Sequence, residues 1–159
     1  MISVFSVILI LFLALILSKS LIKDKNNMLE GHTSGLIAKL SMDEILESSS
    51  VIARAVYSDS KPIRIQSAVS GSELNFTDHY FTQIEVLRGE ITDTKRLAVR
   101  LEGGLIAGRN EICDDNPKFE KDKEYILCLY NPGGYYEYNT EDEHYYVTGV
   151  NQGVFPLTG

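Results

Sequence analysis

Met1 to Leu17 reads MISVFSVILILFLALIL, a run without a charged residue and interrupted only by Ser3 and Ser6. About 17 apolar residues is the lower limit for crossing the hydrocarbon core of a bilayer, and the run also fits a long signal-peptide core. A core helix of a soluble domain would confine its apolar residues to one stripe, whereas this run is apolar on every face. The chain therefore divides into a transmembrane anchor or signal segment over 1–22, a polar spacer over 23–40 and a domain over 41–159. Whatever follows the first segment must fold as a separate body.

The flanks of this segment point two ways. Ser18-Lys19-Ser20 places small residues where a signal peptidase reads, so cleavage after Ser20 would release a secreted domain. No cysteine lies near this boundary, which excludes a lipid-modified N-terminal cysteine. Lys19, Lys23 and Lys25 follow the segment while only the amino terminus precedes it, and the positive-inside tendency taken alone would keep the domain in the cytoplasm.

About 120 residues remain for the domain, enough for a single core without obligatory metal or disulfide staples. Val, Ile, Tyr, Phe and Thr are plentiful there and Ala is scarce, a composition that favours strands. Nine Tyr and no Trp suit half-buried sheet positions, where a ring packs inward and its hydroxyl reaches water. Beyond Ser20 the chain carries 14 basic and 22 acidic residues, a net charge of −8. Such a surface repels nucleic-acid phosphates and anionic lipid headgroups, so the membrane is engaged through the N-terminal segment and nucleic acid is not an expected partner.

Local patterns order the domain. Asp24–Leu40 mixes Asn, Gly, Ser and Thr as a spacer does. Ser41-Met42-Asp43-Glu44 is a capping box and predicts a two-turn helix over Met42–Glu47, docking through Met42, Ile45 and Leu46. Strands are predicted over Val51–Tyr57, Ile63–Ser67, His79–Leu87, Leu97–Leu101 and Leu105–Cys113, the last bent at Gly108. Gly71–Asp78 reads as a loop. On the strand after it, Tyr80, Ile84 and Val86 are placed on one face and Gln83 and Glu85 on the other. Asp114–Lys123 is a polar loop pinned by Phe119. Glu124–Tyr130 is a continuous apolar run, suited to a strand buried on both faces. Tyr135–Tyr138 and His144–Val150 are predicted as the arms of a hairpin, and Asn151-Gln152-Gly153 turns into Val154–Leu157. Six or seven strands and one short N-terminal helix predict an all-β fold, a small antiparallel OB-like barrel whose closure would remove unpaired edges.

The order of these signals resembles a group of uncharacterised bacterial exported domains, whose strand pattern is similar to the OB-type barrel of netrin-like modules. The residues that carry the resemblance are the Ser-capped helix, Ile84-Glu85-Val86-Leu87-Arg88-Gly89, Leu97–Leu101 into Gly103-Gly104, and Pro117-Lys118-Phe119. Glu124–Leu129 and a Tyr-rich hairpin with Gly149 and Gly153 complete the set, and the match covers about Met42 to Leu157. It implies a single-pass protein of the cell membrane with its domain on the extracytoplasmic side. In tissue inhibitors of metalloproteinases, a barrel of this type acts through an N-terminal cysteine that chelates the protease metal. This chain has no cysteine before position 113, so that mechanism cannot be carried over.

Candidate chemistry is sparse. Cys113 and Cys128 are the only cysteines. They could pair in an oxidising compartment, closing a loop of about 15 residues worth roughly 3 kcal/mol, or stay as two small apolar thiols. Neither has a second Cys or a His at zinc-ligand spacing. His32, His79 and His144 are scattered, the latter two at predicted strand starts where a solvated His is ordinary. No G-x-S-x-G or comparable motif supports a nucleophile. Asp114, Asp115, Asn116, Glu120 and Asp122 gather oxygen ligands in one loop, but not at EF-hand spacing and diluted by Lys118, Lys121 and Lys123. Asn75-Phe76-Thr77 fits the glycosylation pattern. Tyr135, Tyr136, Tyr138, Tyr145 and Tyr146 lack the basic companions of a nucleic-acid groove. No enzyme activity, cofactor or metal is therefore expected. The expectation is a membrane-tethered or secreted extracytoplasmic binding or structural module, with an inhibitor or sensor domain acting on a cell-envelope enzyme as the alternative.

Overall fold

The computed structural model describes residues 29–67, 70–106, 108–131 and 143–158. The predicted membrane segment, the cleavage position at Ser20, the first residues of the spacer and the hairpin arm at 135–138 lie outside the described residues. Among those described, no helix is long and apolar enough to cross a membrane.

The domain is mostly β. The strands are β1 (Leu29–Thr33), β2 (Val51–Gln66), β3 (Glu73–Arg88), β4 (Leu97–Glu102), β5 (Gly104–Ile106), β6 (Arg109–Cys113), β7 (Glu124–Tyr130), β8 (Tyr146–Val147) and β9 (Val154–Pro156). The helix α1 (Met42–Ser48) begins at the predicted capping box. Ser41 accepts from the Glu44 amide at 3.2 Å, and the Glu44 carboxylate accepts from the Ser41 amide at 2.7 Å. These bonds hold the Glu44 carboxyl below its ordinary pKa. Ile45 is buried and Leu46 packs beside it, whereas Met42 is half exposed rather than docked.

Two sheets form, with strand order β4-β3-β2-β7-β8 in the larger and β1-β6-β5 in the smaller; β9 pairs β7 beside β8. β2 and β3 are each 16 residues long and pair antiparallel from Ile52/Arg88 to Gln66/Glu73. The loop expected at Gly71–Asp78 is therefore strand from Glu73 onward, and the two predicted pieces of β2 are one. Loop-like composition yields here because every residue of the arm has a partner in a long antiparallel ladder. Within the stretch read as a spacer, Leu29–Thr33 pairs in parallel with all of β6. The predicted Leu105–Cys113 strand is instead a hairpin, broken at Gly108, whose φ of 80° suits a residue without a side chain.

The core explains where alternation fails. Phe81, Leu97, Val99, Leu127 and Leu129 are fully buried between β2, β3, β4 and β7. On β3 the inward residues are Phe81 and Ile84, three apart, not Tyr80, Ile84 and Val86. Gln83 has φ 51°, and the β2–β3 register shifts between Arg54 and Val56. This bulge inserts a residue and exchanges the faces on either side of it. Phe119 pins its loop as expected, lying 5.0–5.4 Å from the rings of Tyr57, Phe81 and Tyr125.

The sheets are not closed into a barrel by their ladders. Among the described residues, the two ends of the larger sheet are joined by an isolated parallel bridge between Val99 on β4 and Tyr145, just before β8. The Arg100 amide donates to the Tyr145 carbonyl at 2.8 Å and the Tyr145 amide to Ala98 at 2.9 Å. Two-residue β8 is too short to extend this contact into a ladder. His144–Val150 thus lies against β7 and β4.

Candidate functional site

β4 presents Leu97, Val99 and Leu101 to the core, so Arg100 faces the opposite side of the sheet. Alternation predicts a solvated arginine there. Instead Arg100 is 1% exposed, and its cross-strand neighbour on β3, Asp78, is 4% exposed. Nε donates to Asp78 Oδ1 at 2.7 Å and Nη2 to Oδ2 at 2.9 Å, a bidentate pair. Nη1 lies 3.2 Å from His144 Nε2. A guanidinium has no acceptor, so the imidazole nitrogen accepts. Arg100 therefore reaches across the seam where β4 meets the residues before β8. Sequence reasoning missed this pair; the signal available was an Asp and an Arg on two successive strands, each beside core residues, but register is needed to bring them opposite one another.

Beside Arg100 a groove of about 440 Å³ opens between the larger sheet and the strap that joins β1 to α1. Gly35, Leu36 and Ile37 form one wall, and Tyr130, Tyr146 and Val150 belong to the other side. The strap is fixed by the Gly35 amide donating to Asp115 Oδ2 at 2.7 Å. Gln152 clamps its far end, donating to the Ala38 carbonyl and accepting from the Leu40 amide, both at 2.9 Å. Leu36 is nonetheless fully exposed. Tyr130 and Tyr146 stack with ring centroids 5.8 Å apart.

The turn at the groove's rim is strained. Val150 has φ 66°, a left-handed conformation unfavourable for a β-branched residue, and it is 40% exposed. The turn is held by Gly153, where a Cβ would come within 2.7 Å of the Cys128 carbonyl oxygen and 2.8 Å of that of Thr148. In place of a side chain, the Gly153 carbonyl accepts from the Cys128 amide at 2.7 Å. Only glycine permits the two chains to approach this closely.

The other singled-out residues are dispersed. Cys113, half-buried, lies in the smaller sheet at the groove; Cys128, buried, lies on β7 of the larger sheet; both are free thiols. Burial pushes the Cys128 thiol above its ordinary pKa. His79 is not solvated at a strand start but sits within β3, packed on Tyr57 and Phe119 with centroids at 5.8 and 5.0 Å. Burial lowers its pKa to about 4 against the raising effect of Asp78, so it is a neutral, half-buried imidazole beside the core. His32 pairs with Asp114 at 3.2 Å on the surface. Asp115 holds the strap, and Lys123 bridges Glu120 at 3.0 Å, so the acidic loop spends these groups on its own structure. Among the described residues no group of three His, Cys, Asp or Glu could hold a metal ion. Asn75 and Thr77 lie within β3, the Thr77 hydroxyl donating to the Gly103 carbonyl at 2.9 Å.

A second cavity, of about 250 Å³, lies along the seam below Asp78 and Tyr145. Glu143 anchors its edge, accepting from Thr92 at 3.0 Å and from the Tyr145 hydroxyl at 2.8 Å. Burial and this neighbour raise the Tyr145 pKa well above the usual range. Arg96 covers the Tyr80 ring at 3.5 Å. Among the described residues, neither cavity brings a nucleophile together with a base and a group that orients the base. Comparison of the chain with models of known protein families gives no match, and neither does comparison with curated proteins.

Proposed function

We propose that this chain is a non-catalytic binding module, held at or exported across a membrane by its apolar N-terminal segment, with its domain on the extracytoplasmic side. The observation that carries the binding part is the groove beside Arg100, with fully exposed Leu36 and strained Val150 at its rim. Backbone strain of this kind costs about 1–3 kcal/mol and clusters at functional sites. The strand pattern supports an OB-type barrel, in which β2–β3–β4 form a meander, β7 returns beside β2, and β8 brings the chain back to β4 through the Tyr145 bridge. In this reading the bridge shuts the barrel. The exposed Leu36 also favours a second reading, an inhibitor or sensor domain that inserts this side chain into a cell-envelope enzyme.

Photocrosslinking in intact cells tests the binding reading. A photoreactive amino acid at position 36 or 150 is expected to give one discrete adduct, and at exposed position 85, nine residues along β3 from Phe76 in the groove, none. Equal adducts from all three positions, or none at the rim, would overturn it; an enzyme as the adduct favours the second reading. For the location, a Lys61→Cys, Cys113→Ser variant is expected to react with an impermeant thiol reagent on intact cells. Reaction only after lysis would place the domain in the cytoplasm.

A further inference from the structure

We propose that the groove takes an extended peptide segment in which a Lys or Arg is flanked by apolar side chains. The inference rests on the binding-module reading and specifies its partner. An arginine at the floor of a pocket ordinarily marks a site for a carboxylate or phosphate. Here three of the five N–H donors of Arg100 go to Asp78 and His144, and the Asp78 carboxylate neutralises the guanidinium before any ligand arrives. Among the described residues, two other charged residues line the groove, Glu102 and Asp115, both acidic. One Asp115 oxygen is engaged by the Gly35 amide, and the Glu102 side chain is exposed. The domain around them is itself strongly acidic. The groove's potential is therefore negative, which attracts a cation and repels carboxylate, phosphate and nucleic acid.

Apart from Asn116, the rest of the lining is apolar or aromatic. Leu36, Ile37 and Val150 line the groove together with the Tyr130–Tyr146 stack, a surface that packs aliphatic side chains and the methylene stem of a Lys or Arg. A volume of about 440 Å³ lies in the range of ligand pockets and suits a few side chains rather than a folded domain. Leu36 at the rim is fully exposed, so a bound peptide can continue past the groove on that side.

Selection from a random peptide display library against the full chain, held in phosphatidylcholine nanodiscs, tests this. The expected winners carry a basic residue between apolar ones. Synthetic copies should bind about tenfold more weakly to Glu102→Lys and to Leu36→Ser, with Glu85→Lys, far along β3, unchanged and all three variants unfolding as the parent does. Winners without a basic bias, winners indifferent to Glu102→Lys, or no winners would each overturn the proposal. So would peptide binding abolished because the groove is covered by a second copy, seen as a doubled mass, or by the lipid surface, seen as recovery of binding in detergent. If the peptides fail while positions 36 and 150 still crosslink a partner in cells, the partner chemistry is wrong but the binding module stands.

Discussion

The two faces of β4 show how differently one strand can be secured. Its inward side chains, Leu97, Val99 and Leu101, join a core built on long ladders between β2, β3 and β7. Its outward face holds one buried ion pair, and its free edge is closed by a bridge of two backbone hydrogen bonds. Apolar burial is non-directional and tolerates adjustment, whereas the ion pair depends on both partners and their geometry. The core side is thus a scaffold, and the seam side, with its groove, short β8 and strained turn, is the part that the proposed partner would meet.

The largest expected effect breaks the seam side. Asp78→Leu or Arg100→Met alone leaves an uncompensated buried charge and should cost about 3–5 kcal/mol in urea unfolding. The double variant should return to within about 1 kcal/mol of the parent. Equal destabilisation by the double variant would show that the pair contributes more than mutual compensation.

A smaller effect belongs to the core side. His79 has a folded pKa of about 4, below the ordinary value of 6.5. As pH falls through 6.5 the unfolded chain takes up a proton that the folded chain refuses until about pH 4. Stability is accordingly lost between those values, by about 2–3 kcal/mol in all. His79→Leu should flatten that part of the profile, measured as the difference in unfolding free energy between pH 7 and pH 4.5.

The smallest change sharpens the contrast by relaxing the rim. Val150→Asn places a residue that tolerates the left-handed conformation at φ 66° and should raise stability by about 1 kcal/mol, read as a higher Tm. A loss of stability would mean that packing of the Val150 methyls outweighs the strain.

Local chemistry made part of this legible. The Ser41–Glu44 capping box, the Phe119 pin and the strand Glu124–Tyr130 are each specified within a few residues, and each was readable from sequence. The Asp78–Arg100 pair was not, because cross-strand register joins residues 22 positions apart. Nor was the burial of His79, whose face on β3 depends on the bulge at Gln83, a backbone feature with no residue signature. β1 was hidden for a similar reason. LEGHT carries no alternation, and its strand conformation comes from β6, some 80 residues later. The groove was hidden with β1, since the strap of residues 34–40 lies where β1 and the Gln152 clamp hold it.

Native-state amide hydrogen exchange measures the difference between scaffold and seam directly. The amides of Arg100 and Tyr145, which form the bridge, should exchange through a local opening at least about 2 kcal/mol less costly than that exposing Ala53 and Leu127 in the β2–β7 ladder. Equal protection at all four, with the same dependence on denaturant, would mean that the seam opens only with the whole domain, contradicting the division drawn here.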